Sequence, residues 1–237
     1  MTLSYENIPK IVPGAYGKAK IEYSLESRSF FLFYDDVKWM GVYDDFSDAF
    51  DNLYSQYEIA YGNVLITGLG FGILLKALEK KEEVTSITVL EQQQDVVDAF
   101  LMHNEIDKNK TKILIEDATT YHTDEKFDCF LPDHYEQQGF WWKVEDMNKL
   151  SKRINNDHFW PWSIEALFFK AMYPIAVYPE SPEEIFTIYA SEIYPKWEFF
   201  INKYFDGNTS LLSVPEDKVI NYLTRPDWIL ISRSMMN

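Results

Sequence analysis

The chain has 237 residues, of which 46% are hydrophobic and 25% charged. That balance excludes a disordered protein and suits one ordinary domain with small additions. The net charge is −16 and no third of the chain is basic. A protein that draws its affinity from nucleic-acid phosphates is therefore disfavoured.

Residues 1–27 read as an irregular arm, interrupted by Pro9, Pro13, Gly14 and Gly17. Phe30–Tyr34 and Val37–Tyr43 flank Asp35-Asp36 as a β-hairpin. Phe46–Ala60 is predicted helical, with Ser47 as N-cap. Next comes Asn63–Gly72, which reads N-V-L-I-T-G-L-G-F-G. Val64-Leu65-Ile66 has the apolar run of a strand buried on both faces of a parallel sheet. Gly68, Gly70 and Gly72 follow at alternate positions, and Ile73–Lys80 restarts the chain as a helix. Strand, glycine turn and helix in that order offer bare backbone on which a ligand can lie. The space beside Gly70 is read as belonging to that ligand.

Ile87–Leu90 is a second buried strand ending on Glu91, 19 residues after Gly72. An acid placed there can accept hydrogen bonds from ribose hydroxyls. Asp95–Asn104 is a helix. Lys112–Ile115 is a third strand, leading into Glu116-Asp117-Ala118. Phe127–Leu131 is a fourth, closing on Pro132-Asp133-His134-Tyr135. A helix over Lys143–Asn155, a short fifth strand over His158–Trp162 and a helix over Ser163–Met172 come next. Residues 174–191 carry opposed signals. Ser181-Pro182-Glu183-Glu184 has the spacing of a helix start, whereas Ile185–Tyr189 is β-branched and aromatic throughout. The expectation is an antiparallel hairpin pairing Ile175–Tyr178 with Ile185–Tyr189. Tyr194–Phe205 and the stretch from Glu216 to Thr224 then read as helices.

The glycine spacing is G-x-G-x-G, one residue shorter than the dinucleotide fingerprint G-x-G-x-x-G/A, whose sixth position is Ile73 here. With acids at three successive strand ends, this resembles the class I S-adenosylmethionine-dependent methyltransferase superfamily. The hairpin and helix ahead of the glycine turn resemble its spermidine synthase-like branch. The resemblance implies an α/β fold, a Rossmann-like doubly wound, mostly parallel sheet with an N-terminal β-hairpin and extra C-terminal helices. It divides the chain into residues 1–60, 61–192 and 193–237. The cofactor it implies is S-adenosylmethionine, held by Gly68, Leu69, Gly70, Phe71 and Gly72, by Glu91 and Gln92 at the ribose, and by Asp117 and Ala118 at the adenine. Asp133, His134 and Tyr135 stand where the acceptor is oriented or deprotonated. Gln56 and Tyr57 fall where that branch carries substrate residues.

Two departures weaken the narrower likeness. Phe71 stands where the aminopropyltransferases usually carry Asp, and Leu131-Pro132 precedes a single Asp133 in place of a run of acids. The expected activity is methyl transfer to a small-molecule acceptor. The alternatives are spermidine synthase-like aminopropyl transfer, or adenosyl-ligand binding without turnover. The four histidines at 103, 122, 134 and 158 lack zinc-site spacing, and no G-x-S-x-G elbow or Walker lysine occurs. No apolar run reaches the ~18 residues of a membrane helix, and no basic-then-apolar signal opens the chain. Cys129 is a lone cysteine in a core strand. A cytoplasmic protein without membrane or nucleic-acid partners is expected. The aromatic-rich stretch from Trp141 onward suits a core, an acceptor pocket or a homo-oligomer face.

Overall fold

The computed structural model describes residues 8–134, 140–172 and 182–225. The chain opens with a four-stranded antiparallel sheet in the order β1-β2-β3-β4. Its strands are β1 (Gly14–Tyr16), β2 (Ala19–Ser24), β3 (Ser29–Tyr34) and β4 (Val37–Tyr43). The expected hairpin is the β3–β4 half. Asp35 and Asp36 both adopt positive φ, 48° and 63°, which matches the right-handed twist of the flanking strands. For Gly14–Tyr16 and Ala19–Ser24 the rest of the sheet corrects the reading of residues 1–27 as an irregular arm. In β2, Ala19 and Ile21 are buried while Lys20 and Glu22 are exposed, a two-residue alternation visible in the sequence.

Helix α1 (Ser47–Ile59) follows, with left-handed Phe46 at its N-cap, so Ser47 is the first helical residue rather than the cap. The second sheet has five strands: β5 (Gly62–Thr67), β6 (Val84–Glu91), β7 (Thr111–Ile115), β8 (Phe127–Pro132) and β9 (Asn156–Phe159). Every pairing in it is parallel, in the order β7-β6-β5-β8-β9. Val64, Leu65, Val89, Phe130 and Leu131 are fully buried, as a sheet covered on both faces requires. The chain order reverses between β5 and β8, the point at which ligands collect beyond the carboxyl ends of such strands. This is the Rossmann-like architecture that the sequence predicts.

Helix α2 (Ile73–Glu79) connects β5 to β6, α3 (Gln94–Leu101) connects β6 to β7, and α4 (Phe140–Arg153) lies between β8 and β9. The link from β7 to β8 contains no helix. After β9 come α5 (Ile164–Met172), α6 (Pro182–Tyr204), α7 (Thr209–Leu212) and α8 (Glu216–Leu223). Residues 185–189 lie inside α6, which overturns the strand expected there. Residues 175–178 lie outside the described residues. Pro182, with φ preset for a helix start, and the acids behind it outweigh the β-branched run. Tertiary packing sustains the helix beyond that point. Ile193, Trp197, Phe200 and Ile201 are each 0–1% exposed and recur at helical spacing. Trp197 stacks on Trp160 at 5.2 Å, and Tyr222 of α8 meets Trp160 edge-on. Trp160 and Trp197 are thus core residues. No helix among the described residues is long and apolar enough to cross a membrane.

Candidate functional site

A cavity of about 430 Å³ opens at the carboxyl ends of β5, β6 and β8, within the range of small-ligand sites. Residues of β3, β4 and α1 form its other wall, so the N-terminal sheet lies over the mouth of the parallel one. Gly68, Leu69, Gly70 and Phe71 line it, as do Glu91, Gln92, Asp117, Ala118, Asp133 and His134. Gly72 is not part of the lining. A Cβ there would strike the Phe100 ring, so its role is to let α2 approach α3.

The glycine turn owes its shape to two close approaches. Gly68 has φ 89°, and a Cβ on it would lie 2.3 Å from the carbonyl oxygen of Asp133. The turn after β5 therefore rests directly on the backbone that carries the fourth-strand acid. Gly70 has φ 53°, and the atom nearest a Cβ there is Met40 Sδ of β4, at 2.7 Å. The space beside Gly70, expected to be the ligand's, is partly filled by Met40. Gly70 still lines the cavity, and Met40 shares that space because the overlying sheet, which the sequence does not show as a neighbour, docks there.

Glu91 is buried, and both its oxygens are engaged by backbone. Oε2 accepts from Leu69 N–H and Oε1 from Gln93 N–H, each at 2.9 Å. Each carboxylate oxygen retains a further lone pair. Asp117 Oδ1 accepts from the N–H and hydroxyl of Thr119. These Thr119 contacts, with smaller help from the charges on His134 and Arg153, hold the Asp117 carboxyl below the usual range.

Asp133 N–H donates to Thr67 O at 2.7 Å, continuing the β5–β8 pairing by one residue. Asp133 is partly exposed and lines the cavity, where its carboxyl is poorly solvated. That desolvation pushes the pKa up to about 7, against the opposing pull of the Lys143 charge. His134 behaves in the opposite sense. Burial lowers its pKa to about 4, with Asp117 opposing, so the ring is neutral near pH 7. Its Nδ1 lies 2.5 Å from Thr67 Oγ1. Asp133 is the stronger base of the two and the one poised near neutrality. Tyr135 lies outside the described residues.

Gln56 and Tyr57 do not line the cavity. Gln56 is fully buried, and its Nε2 donates to Pro132 O at 3.2 Å and Trp160 O at 3.1 Å, joining the ends of β8 and β9. Tyr57 packs under the Lys81 ammonium, 4.9 Å from the ring centre. The α1 residues in the wall are instead Asp48, Ala49, Asn52 and Leu53, one helical turn apart. Sequence reading missed these, together with Trp39, Met40, Asp146 and Trp162. The i, i+4 pair Asp48 and Asn52 was a signal that could have been used. Asn52 Oδ1 is buried without a hydrogen-bond partner among the described residues.

No protein-family model matches the chain, and no curated protein does. Solved structures similar to parts of it include spermidine synthase from Thermotoga maritima, at 16% identity and a TM-score of 0.43, covering 64% of this chain and 56% of that one. A spermidine synthase in complex with the transition-state analogue AdoDATO matches at 15% identity and a TM-score of 0.43, covering 61% of this chain and 52% of that one. An S-adenosylmethionine-dependent methyltransferase from Clostridium acetobutylicum matches at 14% identity and a TM-score of 0.33, covering 44% of this chain and 43% of that one. The chain therefore spans between two-fifths and three-fifths of each structure's length.

The residues present fit an adenosyl sulfonium compound. The glycine turn presents main chain, Glu91 and Asp117 present acceptors, and the orphaned Asn52 Oδ1 awaits a donor. Six carboxylates (Asp48, Glu91, Glu116, Asp117, Asp133 and Asp146) line the cavity, with no lysine or arginine among its described lining residues. A cavity of that sign favours a cation. Among the described residues no cluster of three or more His, Cys, Asp or Glu is arranged to hold a metal.

Proposed function

We propose that this chain is an S-adenosylmethionine-dependent transferase that methylates a small molecule. One observation carries the reading: the glycine turn and the acids after β6, β7 and β8 line a single cavity. In this proposal Gly68–Phe71 lie along the methionine and ribose portion, Glu91 and Gln92 bind the ribose, and Asp117 and Ala118 receive the adenine edge. The bound cofactor supplies a methyl group on a sulfonium, open to in-line displacement by a positioned nucleophile. Asp133, with its pKa near 7, takes the acceptor's proton or orients it. His134 stays neutral and braces the Asp133 turn through Thr67. Trp39, Met40 and α1 close the cavity from above, which supports a small acceptor over a macromolecular one.

A second reading is favoured by the absence of lysine and arginine from the described lining. The methionine carboxylate would meet no cationic side chain there, whereas the decarboxylated cofactor of aminopropyl transfer presents an amine. Thermal shifts with S-adenosylmethionine, its decarboxylated form, S-adenosylhomocysteine, methylthioadenosine and NAD separate these ideas, because stabilisation follows the logarithm of concentration over Kd. Preference for the carboxylated compound supports methyl transfer, and the reverse preference supports the alternative. Stabilisation by NAD alone would end both. Binding without product, in assays with amine and hydroxyl acceptors, would leave a non-catalytic adenosyl-binding protein.

A further inference from the structure

Among the described residues, the connection from β7 to β8 is the one crossover of the parallel sheet that contains no helix. It is also the connection that contributes Asp117, Ala118 and Thr119 to the cavity. Its first turn is braced from within. Asp117 Oδ1 accepts from both donors of Thr119, and Asp117 O accepts from the N–H groups of Thr120 and Tyr121. Those bonds shape the turn but do not attach it to the rest of the protein.

Glu116 N–H donates to Glu91 O and Ala118 packs in the core. A further attachment, at the carbonyls of Ala118 and Thr119, comes from Arg153, the last residue of α4. Its Nη2 donates to Ala118 O at 2.6 Å and its Nη1 to Thr119 O at 2.5 Å. A guanidinium is a rigid planar fork, so two bonds to consecutive carbonyls fix the peptide planes as well as their distance. Its Nε is buried with no partner among the described residues, a penalty that a residue placed only for solubility would avoid. Neighbouring Lys152 does something different. It is exposed and pairs with Asp206 at 3.0 Å.

We propose that Arg153 is a positioning residue for base recognition: by clamping the carbonyls of Ala118 and Thr119 it holds the Asp117–Ala118 edge in the register that distinguishes adenine from other purines. This rests on the reading that an adenosyl ligand occupies the cavity. Arg153 touches neither ligand nor reacting atoms and acts through the turn. A site whose polar groups are fixed rejects a base with the wrong donor pattern, while a loose turn adapts to either. Hypoxanthine replaces the adenine amino group with a carbonyl, so it places an acceptor where Asp117 offers an acceptor.

The test is calorimetric binding of methylthioadenosine and methylthioinosine to the full chain, to Arg153→Gln and Arg153→Lys, and to Lys152→Ala as the neighbouring control. The unchanged protein and Lys152→Ala are expected to prefer methylthioadenosine by at least about tenfold. In Arg153→Gln that ratio is expected to fall to about threefold or less, through weaker binding of the adenine compound. Arg153→Lys, which keeps the charge but donates from one nitrogen, should fall between, and it carries the test if the glutamine variant does not fold. Retention of the full ratio in both variants would overturn the clamp and leave the adenosyl site standing. Equal affinity of the unchanged protein for the two nucleosides would overturn base recognition at Asp117, and the clamp with it. Failure of both to bind the unchanged protein would overturn the adenosyl reading itself.

Discussion

The buried Glu91 carboxylate accepts a hydrogen bond from the Leu69 main-chain N–H at 2.9 Å, tying the end of β6 to the turn after β5. The acid read from the sequence as a ribose ligand is therefore also a fastening of the glycine turn. A glutamine in its place would turn an amide NH₂ toward one of two backbone donors. The Glu91→Gln protein is expected to lose about 1–3 kcal/mol of stability, the cost of a buried unsatisfied donor, together with adenosyl affinity. Denaturant unfolding and calorimetry on one sample check the pairing. Lost affinity at unchanged stability would mean that the fastening contributes nothing.

Asp133 should govern the pH dependence. Its folded pKa of about 7 exceeds the ordinary carboxyl value of 3.8 because burial disfavours the charged form. The folded state thus binds this proton more tightly than the unfolded state does. The associated stability is present below about pH 4 and is lost as pH rises toward 7. Asp133→Asn is expected to be more thermostable than the parent at pH 8, with a smaller gain at pH 5. Turnover should fall on the order of 10²-fold or more, and the rising limb of activity near pH 7 should vanish. A limb that persists in the variant would assign the base elsewhere.

Two glycines of the turn should respond differently to alanine. The obstacle at Gly68 is the Asp133 carbonyl, which is backbone and cannot swing away. At Gly70 it is Met40 Sδ, the far end of a flexible side chain. Both pay the left-handed φ penalty of about 1–2 kcal/mol, but Gly68→Ala must also displace the β8 end. Gly68→Ala is expected to be the less stable by a further 1–3 kcal/mol or so. Gly70→Ala should fold and bind ligand more weakly as Met40 moves. Equal unfolding midpoints would show that the β8 end is as yielding as a methionine.

Gln56 should behave as a structural residue. Its amide links the carbonyls of Pro132 and Trp160 in a fully buried position. Gln56→Leu is expected to cost about 2–4 kcal/mol through two abandoned acceptors, with the KM for acceptor unchanged in protein that remains folded. A variant with normal stability and a raised KM would restore it to the substrate site.

The sequence alone pointed to the parallel sheet, because four short, largely apolar runs such as Val64–Ile66 and Ile87–Leu90 recur between helical stretches, with an acid at or just beyond the end of three of them. It also determined that Glu91, Asp117 and Asp133 share a sheet edge, since parallel strands present the same end to the same side. Tertiary structure decided what a linear reading cannot contain. The strand expected at residues 185–189 is helix, because burial of one long stripe from Ile193 to Ile201, with Trp197 stacked on Trp160, rewards the helical spacing. Gln56 and Tyr57 turned inward while Asp48 and Asn52 met the cavity, because only the docked β4 strand decides which face of α1 is covered. Likewise the opposite pKa shifts of Asp133 and His134, adjacent in the chain, depend on burial and on neighbours far away in sequence.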